Sequence, residues 1–198
     1  MSGLVTPEIT TLLEGRNKDG KNALFCAVEL NRDEIIDFLL ESYENLNLKA
    51  RDTISGDCIL HVACRTKNIE VVKKIFAMNN DLCMQQNFHG ETPIFTSTQV
   101  KDEETLKIFV EYKSQALQKK DHHGENPLFE CARVGNENIF NWFCGDNTFY
   151  MARGQQNYKG QTIEHIACIN KQACIVDEIK PRPDTVDYYG NLPLYYTL

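Results

Sequence analysis

The sequence predicts an all-α solenoid of helix–turn–helix units joined by short β-turn fingers. Three observations predict it. Gly20, Gly56, Gly90, Gly124, Gly160 and Gly190 fall at intervals of 36, 34, 34, 36 and 30 residues. A cap-and-proline register recurs just after each glycine, and a second apolar set with one-sided helical spacing recurs further on. Self-similarity at a fixed period is the signature of stacked units, each burying its apolar face on its neighbours.

The finger comes first in each unit. Asn17, Thr53, Asn87, Asp121, Asn157 and Asp187 stand three residues before the glycines. Asx side chains close tight turns through their own oxygens, and glycine supplies the positive φ that completes them. One extra residue, within Thr53-Ile54-Ser55, lengthens the second turn.

An inner helix follows. Asn22-Ala23, Cys58-Ile59, Thr92-Pro93, Asn126-Pro127, Thr162-Ile163 and Leu192-Pro193 occupy the start position. A capping side chain followed by Pro at the first helical place is a helix N-terminus. Behind it come Leu24, Leu60, Ile94, Leu128 and Leu194, then Phe25, His61, Phe95, Phe129, His165 and Tyr195, and a small residue at Ala27, Ala63, Ser97, Cys131, Ala167 and Thr197.

Polar breaks at Asn31-Arg32, Lys67-Asn68, Lys101-Asp102 and Gly135-Asn136 separate this helix from an outer one. The outer apolar sets are Ile35, Ile36, Leu39; Val71, Val72, Ile75; Thr105, Leu106, Phe109; Ile139, Phe140, Phe143; and Ile175, Val176, Ile179. The i, i+1, i+4 spacing buries one stripe. Pro181 and Pro183 are expected to cut short the last outer helix, and Glu164, in the place of a buried Leu, to distort or open its inner partner.

Gly90-Glu91-Thr92-Pro93-Ile94-Phe95 and Gly56-Asp57-Cys58-Ile59-Leu60-His61-Val62-Ala63 resemble the ankyrin-repeat pattern, in which glycine, Thr-Pro-Leu-His and Ala fall in this order over a period of roughly 33 residues. The resemblance covers nearly the whole chain. It implies a single array over 1–198: a half-repeat cap at 1–15, repeats at 16–49, 50–84, 85–118, 119–154 and 155–184, and a partial repeat at 185–198. Thr6-Pro7-Glu8 leads a lone outer helix through Ile9, Leu12 and Leu13 in that cap. At the other end Leu194, Tyr195, Tyr196 and Leu198 are expected to be poorly covered, as if the chain continued or the edge docked on another subunit.

Composition bounds the function. The 198 residues are 42% apolar and 25% charged, in the range of an ordinary globular protein. No apolar run suggests a membrane span, and Met1-Ser2-Gly3-Leu4 lacks the basic start of a secretory signal. The net charge of -7 argues against nucleic-acid binding, which needs a basic stripe. Residues 1–48 carry nine acids and four bases, a field able to steer a basic partner, although a solvated helix face from Asp33 to Glu41 explains it as well. Eight cysteines without a signal sequence fit reduced thiols and a cytoplasmic setting.

Few residues suggest chemistry. Cys58, His61 and Cys64 have metal-like spacing, but each fills a helix-packing register and a fourth ligand is lacking, so neither metal nor cofactor is expected. His122-His123 is the other candidate for an enzyme. His61 and His165 are expected instead to hydrogen-bond to the adjoining turn and knit units together. Trp142 reads as outer-helix packing.

The pairs before each glycine carry more information. Phe88-His89, His122-His123, Tyr158-Lys159 and Tyr188-Tyr189 place rings at successive finger tips. Aromatic side chains in a row suit a protein interface; equally, they shield the neighbouring turn. Arg65 and Arg133 hold one register of the inner helices and are expected to face the same groove. The candidate partner-binding residues are thus Phe88, His89, His122, His123, Tyr158, Tyr188, Tyr189, Arg65 and Arg133. The resemblance implies a non-catalytic module that binds another protein through a concave surface, as an adaptor, inhibitor or targeting element. The alternative is the N-terminal regulatory array of a larger channel, transferase or effector cut at Leu198. Insertion into a membrane is not expected.

Overall fold

In a computed structural model of the chain, the described residues are 11, 13–43, 46–112, 114–144, 153–182 and 184–197. Among them ten α-helices run in pairs: α1 (Ala23–Glu29) with α2 (Asp33–Ser42), α3 (Ile59–Arg65) with α4 (Ile69–Met78), α5 (Pro93–Gln99) with α6 (Glu103–Tyr112), α7 (Pro127–Val134) with α8 (Glu137–Cys144), and α9 (Ile163–Ile169) with α10 (Ala173–Ile179). Inner helices pack on inner helices and outer on outer along the chain. The architecture is the all-α solenoid that the register predicts. An isolated antiparallel bridge between Arg51 and Cys58 is the only β pairing among the described residues.

Helix starts form as the side chains dictate. Asn22 accepts from Phe25 N at 2.9 Å and Asn126 from Leu128 N at 3.0 Å, while Pro93 and Pro127 take first-turn positions without giving up a needed donor. Each pair is linked through one left-handed residue, at φ 51° for Asn31, 55° for Lys67, 57° for Lys101, 66° for Gly135 and 55° for Lys171. These are the polar breaks of the sequence. The second helix starts at once: Asn68, Asp102 and Asn136 accept from Val71, Thr105 and Ile139 N.

The core is one continuous stripe between the helix layers. Leu24, Leu60, Ile94 and Leu128 are buried, as are Phe25, Phe95, Phe109, Phe129, Phe140 and Phe143. Burying each Phe contributes roughly 1.5–3 kcal/mol. Thr105 is also buried, its hydroxyl donating to Asp102 at 2.5 Å. Ile35 departs from the pattern at 51% exposure, because α2 has no outer helix before it among these ten. Short 3₁₀ turns at Asn80–Met84 and Ser114–Gln118 add Leu82, Cys83, Ala116 and Leu117 to the core.

Glu164 corrects an expectation. Helix α9 is neither distorted nor open, and Glu164 is fully buried within it. Arg153 donates to its carboxylate at 3.1 Å and Arg182 lies 3.4 Å away, so the charge is neutralised where other units place Leu. Arg153 also donates to Ile179 O at 2.5 Å, tying the end of α10 to the same point. Helix α10 does stop before Pro181, with Lys180 at φ 49°; Pro183 lies outside the described residues.

Of the N-terminal cap, Thr11, Leu13 and Glu14 are helical and Leu13 packs on the core; Thr6, Pro7, Ile9 and Leu12 lie outside the described residues. At the other end Pro193–Thr197 forms a 3₁₀ turn rather than an α-helix. Leu194 and Tyr195 are exposed there, while Tyr196 is held by its hydroxyl donating to Asp187 at 2.6 Å. Leu198 lies outside the described residues.

Candidate interaction surface

Each finger is a closed hydrogen-bonded turn. In the third, Gly90 N donates to Asn87 O, Asn87 N donates to Glu91 O, and Asn87 Oδ1 accepts from His89 N and Glu91 N at 2.9 and 3.0 Å. Asn17, Asp121, Asn157 and Asp187 repeat the arrangement. In the second finger the role passes to Asp52, one residue earlier than the register suggests. Its carboxylate accepts from Ile54 N and from the Ser55 backbone and hydroxyl. The longer turn leaves Ile54 78% exposed.

A backbone ladder joins the fingers. Thr53 N donates to Asp19 O, Phe88 N to Ser55 O, His122 N to His89 O, Tyr158 N to His123 O and Tyr188 N to Lys159 O, all between 2.8 and 3.1 Å. This spacing sets where the tip side chains go. The first residue of each pair lays its ring on the preceding glycine: a Cβ added to Gly56 would stand 2.5 Å from the Phe88 ring, one on Gly90 2.6 Å from His122, and one on Gly124 2.8 Å from Tyr158. Tyr188 covers Gly160 in the same way. Glycine is therefore required twice over, for its φ near +75° and for this approach.

The two halves of each tip thus differ. Phe88, His122, Tyr158 and Tyr188 each spend one ring face on the neighbouring turn and expose the other. His89, His123, Lys159 and Tyr189 are exposed. Ile54 joins this row, and the inserted residue in the second turn was the sequence signal that could have singled it out.

Beneath the first four fingers, the residue after the glycine pairs with the one eight places on. Lys21 bonds Glu29 at 2.7 Å, Arg65 bonds Asp57, Gln99 donates to Glu91 at 3.1 Å and Arg133 bonds Glu125. Arg65 and Arg133 do share a register, but both guanidinium groups are engaged, Arg133 also with Glu130 at 2.9 Å. Neighbouring units are stitched by Asn87 donating to Asp57 and Asn157 to Glu125. Burial pushes the Glu130 carboxyl up, Arg133 opposes it, and the like charges of Glu91 and Glu125 add to the rise. Burial also opposes the charged form of Asp57, but bonds from Arg65 and Asn87 prevail and hold it below its ordinary value.

The histidines within the helices are structural. His61 Nε2 donates to Glu91 O at 3.0 Å, which leaves Nδ1 to accept from Cys58 N at 3.1 Å and from its thiol at 3.0 Å. His165 repeats this with Asn191 O and Thr162. Each imidazole caps its own helix and bonds the next finger, as expected. Where Phe25 and Phe129 replace the imidazole, the cap asparagine reaches onward, Asn22 to Asn47 O at 2.9 Å and Asn126 to Gln155 at 3.4 Å.

Cys58 borders a cavity of about 450 Å³ that Arg51 and Gln85 also line. Burial raises the Cys58 thiol, which disfavours the thiolate a nucleophile needs. Among the described residues no group of three or more His, Cys, Asp or Glu could hold a metal ion, and no helix is long and apolar enough to cross a membrane. Cys26, Cys58, Cys64, Cys83, Cys131, Cys168 and Cys174 take part in no disulfide. Trp142 lies beside Phe143 at 5.3 Å between ring centres.

A family model for ankyrin repeats (three copies) matches residues 60–153. Over 66 residues the chain is 38% identical to a Saccharomyces cerevisiae protein described as a probable 26S proteasome regulatory subunit p28. That stretch is 33% of this chain and 29% of the relative, so under a third of the relative's length is matched.

Proposed function

We propose that the chain is an ankyrin-repeat module, non-catalytic, that recognises another protein through the concave face of its fingers and inner helices. The supporting observation is the finger row: a hydrogen-bonded backbone ladder presents exposed side chains at His89, His123, Lys159 and Tyr189, while the rings of Phe88, His122, Tyr158 and Tyr188 lie on the preceding glycines. Arg65 and Arg133, with their carboxylate partners, form a charged floor that sets register rather than supplying free cations. Histidines locked as caps and a protonated Cys58 fit a role without catalysis, cofactor or metal. The acidic balance fits neither nucleic acid nor an anionic membrane surface, and cysteines outside disulfides fit a reducing cytoplasm.

The test is affinity capture from an extract of the source cells with wild-type chain and a His89→Glu/His123→Glu variant. Neither side chain packs on a glycine, so melting should not change. A saturable partner retained by the wild type and lost by the variant supports the reading. Equal retention by both excludes the fingers. A narrower reading, association with 26S proteasome particles, follows from the 38% stretch alone; sedimentation with purified particles tests it.

A further inference from the structure

We propose that a second copy of this chain docks on the last finger, its own first finger and α1 stacking there as the next unit of a head-to-tail assembly. The proposal is independent of recognition through the concave face. The backbone ladder is open at both edges. Its five bonds run from Thr53 N on Asp19 O to Tyr188 N on Lys159 O. The next acceptor in that series is Tyr189 O, and the donor that would precede it is Lys18 N; among the described residues neither forms a hydrogen bond. The glycines repeat the pattern. A Cβ on Gly20, Gly56, Gly90, Gly124 or Gly160 would stand within 2.8 Å of the following finger, whereas one on Gly190 meets nothing within 4 Å.

Burial marks the same two edges. In the last unit Leu194 is 53% and Tyr195 59% exposed, while Leu60, Ile94, Phe95 and Phe129, in the same registers, are at most 2% exposed. In the first unit Ala23 is exposed and Cys26 half-buried, where Ile59 and Ile163, and Val62 and Ile166, are buried. With Leu30, also exposed, they form one stripe of α1 at i, i+3 and i+7. Asn17 is exposed too, where Asn87 and Asn157 reach back to Asp57 and Glu125 of the unit before.

Each edge lacks what the other supplies. Stacking α1 of one copy on the Pro193–Thr197 turn of another continues the inner-helix contact that already joins α9 to that turn. It brings Lys18 N to Tyr189 O and lays the Lys18 stem on Gly190, with the ammonium beside the exposed rings of Tyr188 and Tyr189. Asn17 then reaches Asn191, which holds the register of Asp57 and Glu125. The occupant is thus a surface this chain itself carries, and the contact continues an interface it already makes between neighbouring units.

Because the two edges are different surfaces, the contact is heterologous and does not stop at a dimer unless it closes into a ring. Sedimentation velocity of the wild-type chain over about a hundredfold range of concentration should show a mass that rises past the monomer. Two variants each block one edge at exposed positions, Ala23→Glu/Leu30→Glu the first and Leu194→Glu/Tyr195→Glu the last. Each alone should associate about tenfold or more weakly and sediment as a monomer, with melting unchanged. Mixed, they should form one heterodimer, since the first variant keeps an intact last finger and the second an intact first finger. Should a double variant melt early, Leu30→Glu and Leu194→Glu serve in its place. A wild type that stays monomeric throughout overturns the proposal, and so does a mixture without heterodimer. Association of either variant alone also overturns it, because one edge would then pair with itself. None of these outcomes alters partner capture by the concave face, so the two readings fail separately.

Discussion

Arg153 donates to the Glu164 carboxylate at 3.1 Å, at an inner-helix register where other units carry Leu24, Leu60, Ile94 and Leu128. One carboxylate oxygen of Glu164 has no hydrogen-bond partner, so the buried charge depends on its arginines. Removing one member of a buried pair strands the other and costs about 3–5 kcal/mol, whereas an apolar replacement of the whole pair is often neutral or stabilising. Arg153→Ala should therefore lower the urea midpoint strongly. Glu164→Leu with Arg153→Met should match or exceed wild type. Equal midpoints for Arg153→Ala and wild type would show that the pair carries no stability.

Gly124 and Tyr158 should be coupled. Gly124→Ala meets two costs, a left-handed φ of 77° worth about 1 kcal/mol and a Cβ 2.8 Å from the Tyr158 ring. Tyr158→Ala removes the second cost only. Equilibrium unfolding of both single variants and the double variant should give a non-additive cycle, the double being more stable than the sum predicts. Strict additivity would mean that the ring is not seated on the glycine.

Stability should depend on His61 below neutral pH. Burial lowers the imidazole from its ordinary 6.5, with Arg51 and Arg65 assisting and the Glu91 carbonyl and Asp57 opposing. A group whose folded value is depressed supports folding above the unfolded value, and that support is lost as pH falls from about 6.5 toward the folded value. Unfolding free energy measured from pH 7 to 5 should fall for wild type. His61→Phe, the residue found at Phe25, Phe95 and Phe129, should lower stability at pH 7 but fall less steeply.

Thr92 and Thr162 share a cap register yet should respond in opposite ways. Thr162 bonds His165 at 3.0 Å, so Thr162→Val should cost about 1 kcal/mol. The Thr92 hydroxyl is buried without a partner, so Thr92→Val should be neutral or stabilising. Thermal melts of the two variants decide it.

Most of the fold was legible because one register carries both turn chemistry and helix periodicity. Gly90 and Pro93 mark their own elements, and the buried stripe from Val71 to Ile75 follows from spacing alone. Glu164 was not, since its arginines lie outside its own helix and only folding brings them together. The 3₁₀ turns were missed although Leu82-Cys83 and Ala116-Leu117 share a register, because a buried pair of residues has no period to read. The site was half legible. Sequence places rings at the tips, but only the ladder geometry separates Phe88 and Tyr158, which cover glycines, from His89 and His123, which do not. Arg65 reads as a free cation until Asp57 is seen beside it.

Hydrogen–deuterium exchange of the chain alone and bound to its purified partner tests the central claim most directly. Protection is predicted over the fingers at 52–56, 87–90, 121–124 and 157–160 and along α3, α5 and α7, with α4, α6 and α8 unchanged. Protection confined to those outer helices, with the fingers exchanging as in the free chain, would contradict recognition through the finger face.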